Sequence, residues 1–213
     1  MTPPALSLNT LQTLVEAAAI LAFATSGLLA GARKRLDAVG VCIVVGLSAF
    51  GGGTLRDILL DRRPFFWVEH ATWLWVLLGL TVLAMLFMQA RHFAPTERAI
   101  QWPDALGLGL FTAGGTQLAL AAGMPGIVAV MMGLITAVFG GVLRDIVCND
   151  IPQAFSDHRP YAVCAFVGGW LVVLAHHQGW HGSVGLLLGA GVATGLRVVA
   201  VLRDWRLPEW RVD

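Results

Sequence analysis

Two Arg-Asp dipeptides stand inside long apolar stretches of this chain, each directly downstream of a pair of glycines. They are Arg56-Asp57 and Arg144-Asp145, and both lie in the motif Gly-Gly-x-Leu-Arg-Asp-Ile. An ionisable side chain in an apolar span costs about 2.5 to 3.5 kcal/mol to insert, so it usually faces a protein interior or a water-filled cavity and has a partner. We therefore expect the arginines to be buried or to line a pathway. The aspartates lie in the last third of each stretch, where a side chain can also reach the membrane surface.

The two motifs belong to an internal repeat in which one ungapped spacing of 88 residues relates the two halves of the chain. The spacing also pairs residues outside the motif: Glu16 with Asp104, Phe23 with Phe111, Gly27 with Gly115, Pro64 with Pro152, and Trp73 with Tyr161. Shared apolar composition would not readily place glycines before and a proline after both Arg-Asp pairs. Each copy holds three predicted spans, an odd number, so the second copy must enter the membrane from the opposite side. Such inverted repeats place a transport pathway near the membrane midplane, between the copies.

Glu16 and Asp104 are the predicted partners of the arginines. Each stands near the start of the first span of its copy, where the helix dipole favours a carboxylate, which is the simpler explanation. The inverted topology also puts each at the membrane depth of one arginine, so we predict that Arg56 approaches Glu16 and that Arg144 approaches Asp104. Such pairing would lower the cost of burial and cancel the field of a bare arginine, which would repel a cation. The adjacent aspartates are predicted to be weaker partners, because consecutive helical side chains point about 100° apart. Pairing between the two copies is the second-ranked arrangement.

Consecutive glycines precede both motifs in the middle span of each copy. They are Gly51, Gly52 and Gly53 in the first copy, and Gly140 and Gly141 in the second. Glycine is a poor helix former, about 1 kcal/mol worse than alanine, so these runs predict a kink or a local break. A break would free backbone carbonyls, which can replace the hydration shell of a cation. The alternative is close helix packing through small residues. The glycine runs occur at matched positions of the two copies, and this favours a pathway over simple packing.

Hydroxyl side chains near the glycines complete the candidate pathway. Ser48 and Thr136 match across the repeat and precede the glycines by about one turn, and Thr54 follows Gly53. Most hydroxyls in membrane spans bond back to their own helix, and we expect this of the other such residues, including Ser26. Ser48 and Thr136 are the better candidates for lining a pore.

The composition places these elements in a membrane. Of the 213 residues, 57% are hydrophobic and only 13% are charged, whereas a soluble domain carries about 25% charged residues. Seven spans of about 20 residues can be drawn, at roughly 10–32, 38–60, 70–90, 103–123, 126–148, 159–177 and 183–202. We predict an all-α membrane protein with one transmembrane domain over residues 1–213. The first repeat covers about 10–90, the second covers about 98–178, and the seventh helix at about 183–202 lies outside the repeat.

Loop cations are unequally divided between the two sides that seven spans create. One side has nine: Arg33, Lys34, Arg35, Arg91, Arg98, Arg159, Arg203, Arg206 and Arg211. The other side has two, Arg62 and Arg63. Because cationic loops stay in the cytoplasm, the N-terminus is predicted outside and the C-terminus inside.

The seventh span carries two small-xxx-small pairs, Gly185/Gly189 and Gly191/Gly195. Such pairs are typical of a helix-packing face. The partner is either the same subunit or a neighbouring one.

Several other functions find no support in the sequence. A net charge of +1 provides no basic surface for a nucleic acid, and no catalytic or phosphate-binding motif indicates an enzyme. Three histidines cluster in one loop, namely His176, His177 and His181, but we interpret them as solvated and predict no metal site. No soluble partner is implied, so the lipid bilayer is the predicted surrounding.

The doubled motif, in three plus three spans with a seventh added, resembles the bacterial UPF0126 membrane proteins over about residues 10–205. That family is often labelled a glycine-transporter domain and is related to the trimeric intracellular cation (TRIC) channels. The resemblance implies a homotrimer in the bacterial inner membrane, with a separate hourglass pore in each subunit. It also implies that spans two and five bound the pore and kink at their glycines, and that potassium, or less readily sodium, permeates without a cofactor. The second motif reads Phe139-Gly140-Gly141, one glycine short of the first, so the two kinks need not be symmetric.

The function predicted from the sequence is a passive, potassium-preferring cation channel. The rival is a secondary transporter of glycine or another small solute, since an inverted repeat suits both. A membrane scaffold without transport is the third reading. The residues alone do not separate a channel from a carrier.

Overall fold

The structure, a computed structural model, describes residues 8–87 and 96–208. Within these ranges the fold is all-α, as predicted, with nine helices and no strand. In chain order they are α1 Leu8–Arg33, α2 Ala38–Leu59, α3 Phe66–Glu69, α4 Thr72–Phe87, α5 Glu97–Ala121, α6 Gly126–Val147, α7 Gln153–Ser156, α8 Ala162–His177 and α9 Gly182–Leu202. Arg91 and Arg211, both used to assign the orientation, lie outside the described residues.

Four of the described helices, α1, α2, α6 and α9, are long and apolar enough to cross a membrane. Helix α4 is apolar and is described over 16 residues, as far as Phe87, where the described range ends. Helix α8 is apolar and has 16 residues, which rise only about 24 Å, less than the hydrocarbon thickness of about 30 Å. Helix α5 has 25 residues but is the least apolar of the long helices, because Glu97, Arg98 and Asp104 interrupt it. The count of seven spans therefore stays a prediction.

Helix boundaries follow local sequence signals. The Thr96 side chain caps α5 by accepting a hydrogen bond from the backbone nitrogen of Ala99 at 3.3 Å. The helix therefore begins at Glu97, upstream of the predicted start at Pro103, which lies inside it. Helices α2 and α6 end just before Asp61 and Asn149, which have positive φ, and a one-turn helix, α3 or α7, follows Pro64 or Pro152.

The core is formed by α1, α2, α5 and α6, with α2 and α6 crossing against each other. Helix α1 packs on α2 and α5, while α8 and α9 pack together and cover α5. Helix α4 lies at the edge, chiefly on α2. The rings of Phe23 and Phe111 stack with their centroids 5.4 Å apart. These two residues match across the repeat, so the two halves meet at equivalent positions.

The helix crossing is built from glycines in a reciprocal way. A Cβ atom added to Gly52 would collide with the carbonyl oxygen of Thr136, and one added to Gly140 would collide with the carbonyl oxygen of Ser48. The 88-residue spacing exchanges these two contacts. Gly52 meets Thr136, and their matches in the repeat, Gly140 and Ser48, also meet each other. The contact therefore has the form of a two-fold interface.

The predicted local break at the glycines is wrong, and the alternative of a kink stays a prediction. Helix α2 is continuous from Ala38 to Leu59, and α6 is continuous from Gly126 to Val147. The missing Cβ atoms let the two backbones approach closely, and this packing offsets the weak helix propensity of glycine. The glycines therefore serve close helix packing, which was the alternative prediction, and the backbone carbonyls near them remain part of regular helices.

Candidate functional site

The first charge cluster comprises Arg56, Glu16 and Asp57. Arg56 is 1% exposed, and its Nη2 donates to Glu16 Oε1 at 2.7 Å. Helix α1 supplies Glu16 and helix α2 supplies Arg56, so the contact joins two spans of the first half. The predicted pairing of Arg56 with Glu16 is confirmed.

The second charge cluster comprises Arg144, Asp104, Asp145 and Ser26. Arg144 Nη1 donates to Asp104 Oδ1 at 2.6 Å, which confirms the second predicted pair. The same nitrogen makes a short hydrogen bond to the hydroxyl of Ser26 on α1. Ser26 itself donates to the carbonyl oxygen of Ile100 at 3.3 Å. The expectation that Ser26 bonds to its own helix is wrong, because a buried guanidinium of the other half lies within reach.

The adjacent aspartates are not weak partners, contrary to the prediction. Asp57 Oδ1 accepts from Arg56 Nε at 2.9 Å, and Asp145 Oδ1 accepts from Arg144 Nε at 2.8 Å. Both carboxylates are buried, so they do not reach the membrane surface. The arginine side chain has four rotatable bonds, and it folds back far enough to overcome the angle between neighbouring positions.

Each of these aspartates also joins its arginine to a one-turn helix. Asp57 Oδ2 accepts from the backbone nitrogen of Phe66 in α3 at 3.5 Å, and Asp145 Oδ2 accepts from that of Gln153 in α7 at 2.8 Å. Backbone N–H groups at the start of a helix have no intrahelical acceptor. The carboxylates therefore satisfy otherwise orphaned donors where the chain turns back.

Both clusters hold more carboxylates than cations. With all groups ionised, one guanidinium and two carboxylates give each cluster a net charge of −1. Arg62 Nη1 is buried 3.9 Å from Asp57 Oδ1, beyond hydrogen-bond distance, while its side chain as a whole is 41% exposed, so its charge offsets the excess at the first cluster only in part. The buried field at both ends of the α2–α6 crossing therefore favours cations over anions.

The hydroxyls predicted to line a pore are packed in the interior. Ser48 donates to its own helix at the carbonyl oxygen of Val44, at 2.7 Å, and Thr136 does so at that of Met132, at 2.6 Å. Thr54 accepts a hydrogen bond from the indole nitrogen of Trp67 at 3.1 Å. Ser48 and Thr136 thus lie beside the glycine crossing without facing an open channel.

A small cavity lies beside the first charge cluster, under helix α3. Its volume is about 10 Å³, and its walls include Glu16, Thr54, Phe66, Trp67 and Phe111. A cavity needs about 10 to 15 Å³ to hold one water molecule. A hydrated ion does not fit in this cavity.

A third buried arginine was missed by the sequence reasoning. Arg197 of α9 is fully buried, and its Nη2 donates to Asp157 Oδ2 at 2.9 Å. Its Nη1 donates to the carbonyl oxygen of Pro160 at 3.3 Å, and its guanidinium lies 4.8 Å from the centre of the Tyr161 ring. Its position inside the predicted span 183–202 could have indicated a buried contact, because an ionisable residue in a span usually has a partner.

A neighbouring ion-pair network lies outside the long helices. Arg159 contacts Asp204 at 2.7 Å and Asp157 at 3.2 Å. The hydrogen bond from Arg159 holds the pKa of the exposed Asp204 carboxyl below its ordinary value. The network ties the segment after α9 to the loop before α8. In the part of the chain that the structure describes, no group of histidine, cysteine and acidic side chains is arranged to bind a metal.

Comparison with known proteins shows the family to which the chain belongs. Residues 13–89 and 101–177 each match the sequence model of one family, described as glycine transporter. The chain belongs to this family. The two matches begin and end 88 residues apart, the spacing of the doubled motif.

Named relatives of this glycine-transporter-family protein are bacterial membrane proteins of the UPF0126 group. A Vibrio cholerae member is 32% identical over 190 residues, covering 87% of this chain and 77% of the relative. One from Deinococcus radiodurans is 34% identical over 198 residues, covering 91% and 89%. The Escherichia coli inner membrane protein YadS is 32% identical over 195 residues, covering 90% and 92%. The protein is thus a multi-pass bacterial membrane protein, and the resemblance seen in its sequence is confirmed.

Solved structures that resemble it are those of TRIC channels rather than enzymes. The TRIC orthologue from Rhodobacter sphaeroides has a TM-score of 0.84 at 31% identity, covering 92% of this chain and 99% of that one. A prokaryotic TRIC channel crystallised in 0.5 M KCl has a TM-score of 0.85 at 26% identity, covering 94% and 100%.

Proposed function

We propose that this protein is a passive cation channel of the TRIC type, with one pathway in each subunit along the α2–α6 crossing. The observation that carries the proposal is the pair of buried charge clusters, each with an excess carboxylate. A cation moving along the crossing would meet a favourable field at both ends. The likeness to TRIC cation channels over more than nine tenths of the chain supports the same conclusion.

The pathway has the glycines Gly51 to Gly53, Gly140 and Gly141 at its centre, with Ser48, Thr136 and Thr54 beside them. Because the glycine helices are continuous, side chains and the clusters, rather than freed carbonyls, would meet the ion. Opening then requires α2 and α6 to move relative to each other or the covering side chains to swing away. The permeant ion is potassium in preference to sodium, as the resemblance to the TRIC channels implies.

Seven spans in an inverted repeat are part of the proposal. The reciprocal glycine contacts and the doubled family match support a two-fold axis between the halves. We also propose a homotrimer in the inner membrane. On α9, Gly185 packs on α8, since a Cβ there would lie 3.0 Å from that of Ala175, while Gly191 and Gly195 have nothing within 4 Å and leave a face open for another subunit.

Single-channel recording tests the function. Purified protein in a planar bilayer should give discrete unitary currents, and the reversal potential in a potassium–sodium gradient should show a preference for potassium. Chloride replacement should leave the current nearly unchanged, because the clusters carry excess negative charge. Anion-selective current would contradict the assignment of the clusters.

A secondary transporter of glycine or another small solute is the rival, and the description of the family model favours it. A carrier for a zwitterion needs a helix N-terminus at mid-membrane to bind the carboxylate. The uninterrupted α2 and α6 offer none at their glycines. Saturable uptake of labelled glycine into proteoliposomes, without unitary currents, would favour the carrier; neither uptake nor current would favour a scaffold.

The orientation gives a separate prediction. The nine-to-two division of loop cations predicts an external N-terminus and a cytoplasmic C-terminus. Reporter fusions that are active only on one side of the membrane, placed at each end, should report opposite sides. Two ends on the same side would remove the seven-span arrangement and the inverted repeat.

A further inference from the structure

Tyr161 lies over the second charge cluster. It is 3% exposed, and its hydroxyl lies 3.3 Å from the position that a Cβ on Gly141 would occupy. Asp104 Oδ1, the acceptor of the Arg144 hydrogen bond, lies 3.5 Å from the same position. The tyrosine ring therefore stands where the glycine face of α6 meets the charged groups.

Arg197 holds this ring from the side of α9. Its guanidinium lies over the ring face, and Asp157 and the carbonyl of Pro160 fix the other edge of the guanidinium. Both acceptors belong to the segment that leads directly into Tyr161. Arg197 thus binds the ring and the backbone before it, and its complete burial leaves it no alternative partner in solvent.

The two ends of the crossing are covered differently. At the first cluster, α3 supplies the cover, because Phe66 is buried and Trp67 bonds to Thr54. At the second cluster the corresponding helix α7 cannot do so, since its Phe155 is 70% exposed. Tyr161 lies at the second cluster instead, with its hydroxyl near Gly141, and α9, which lies outside the repeat, supplies the arginine over its ring.

We propose that Tyr161 is a latch that closes the pathway at the second charge cluster, and that Arg197 is the positioning residue that keeps the latch closed. The inference rests on the proposed channel function and adds its regulation. A desolvated cation–π contact is strong enough to shift an open-to-closed ratio by roughly tenfold. Helix α9 would then control the pathway through this contact without lining it.

Single-channel open probability tests the latch. Tyr161→Leu keeps an apolar side chain of moderate size but removes the ring, and its open-to-closed ratio should rise roughly tenfold. Tyr161→Phe keeps the ring and should stay within about twofold of the wild type, since Arg197 can still lie over it. Arg206→Gln is the control: it removes an exposed cation after α9 that pairs with Asp204 and should leave the ratio unchanged.

Arg197→Lys tests the latch through the other partner of the contact. A single ammonium group cannot contact Asp157 and lie over the Tyr161 ring at once, as the guanidinium does, so this variant should raise the open probability in the same direction as Tyr161→Leu. If Tyr161→Leu fails to assemble, Arg197→Lys carries the test with the same outcomes. A purely structural role would reduce the number of channels without raising their open probability.

The outcomes separate the latch from the channel itself. Unitary currents in the wild type that neither Tyr161→Leu nor Arg197→Lys alters would overturn the latch and leave the channel standing. Silence of the wild type and of every variant would count against the channel function, and the latch would fall with it. A silent wild type with a conducting Tyr161→Leu variant would support both.

Discussion

Replacing Gly52 with alanine should destabilise the protein by about 1 to 3 kcal/mol, the usual cost of overpacking. The new Cβ would overlap the carbonyl oxygen of Thr136. This oxygen belongs to backbone inside a continuous helix, so it can move only if α6 separates from α2. Gly140→Ala should have a similar effect through the carbonyl of Ser48. The measurement is the free energy of unfolding of the detergent-solubilised protein in an SDS titration.

Helix α2 contains its own control for this prediction. Gly46 has nothing within 4 Å of a Cβ atom, so Gly46→Ala should be neutral or stabilise the protein by up to about 1 kcal/mol through helix propensity. Gly141→Ala should also be tolerated better than Gly140→Ala, since its nearest contact would be a side-chain hydroxyl at 3.3 Å. Equal losses at Gly46 and Gly52 would mean that the close crossing is not what the glycines provide.

Arg144→Met should have the largest effect on stability, about 3 to 5 kcal/mol. The change leaves the carboxylates of Asp104 and Asp145 buried without the arginine that pairs with both of them. Removal of one partner from a buried ion pair is costly because the remaining charge has no compensating group. We expect a large fall in the yield of folded protein and in its unfolding free energy.

A double variant distinguishes lost charge balance from lost packing. Asp104→Asn in the Arg144→Met background removes one of the two stranded charges and should recover part of the stability. Arg206→Gln is a matched control in an exposed pair, with a 60% exposed arginine side chain 3.1 Å from Asp204, and should change stability by less than about 1 kcal/mol. An Arg144→Met variant as stable as Arg206→Gln would show that the buried cluster contributes little.

The repeat is what made the charge clusters predictable from the sequence. Once the two halves were related by one spacing and inverted, Glu16 and Asp104 had to lie at the depths of Arg56 and Arg144. Both pairs are present as predicted. The helices themselves were predicted from the length of the apolar stretches and from turn residues. The start of α5 was predicted too late, because the helix begins after the Thr96 cap and continues through Pro103.

The role of the glycines could not be decided in the same way. A glycine run is compatible both with a broken helix and with a close crossing, and the choice depends on whether another backbone lies against it. That information is in the tertiary arrangement of α2 and α6. Arg197 was missed for a related reason: α9 has no counterpart in the repeat, so the match of Tyr161 with Trp73 did not indicate a contact with Arg197.

The difference between contacts within a half and contacts between halves has a consequence for biosynthesis. Arg56 and Glu16 are only 40 residues apart in the chain, so their charges can neutralise each other while the first three spans are entering the bilayer. Gly140 is synthesised 92 residues after Ser48, about 5 to 20 s later at typical translation rates. During that interval the glycine face of α2 has no partner from its own chain. The nascent first half thus already has a partner for its buried arginine but still exposes a groove of bare backbone, and lipid or the insertion machinery must cover that groove until α6 arrives.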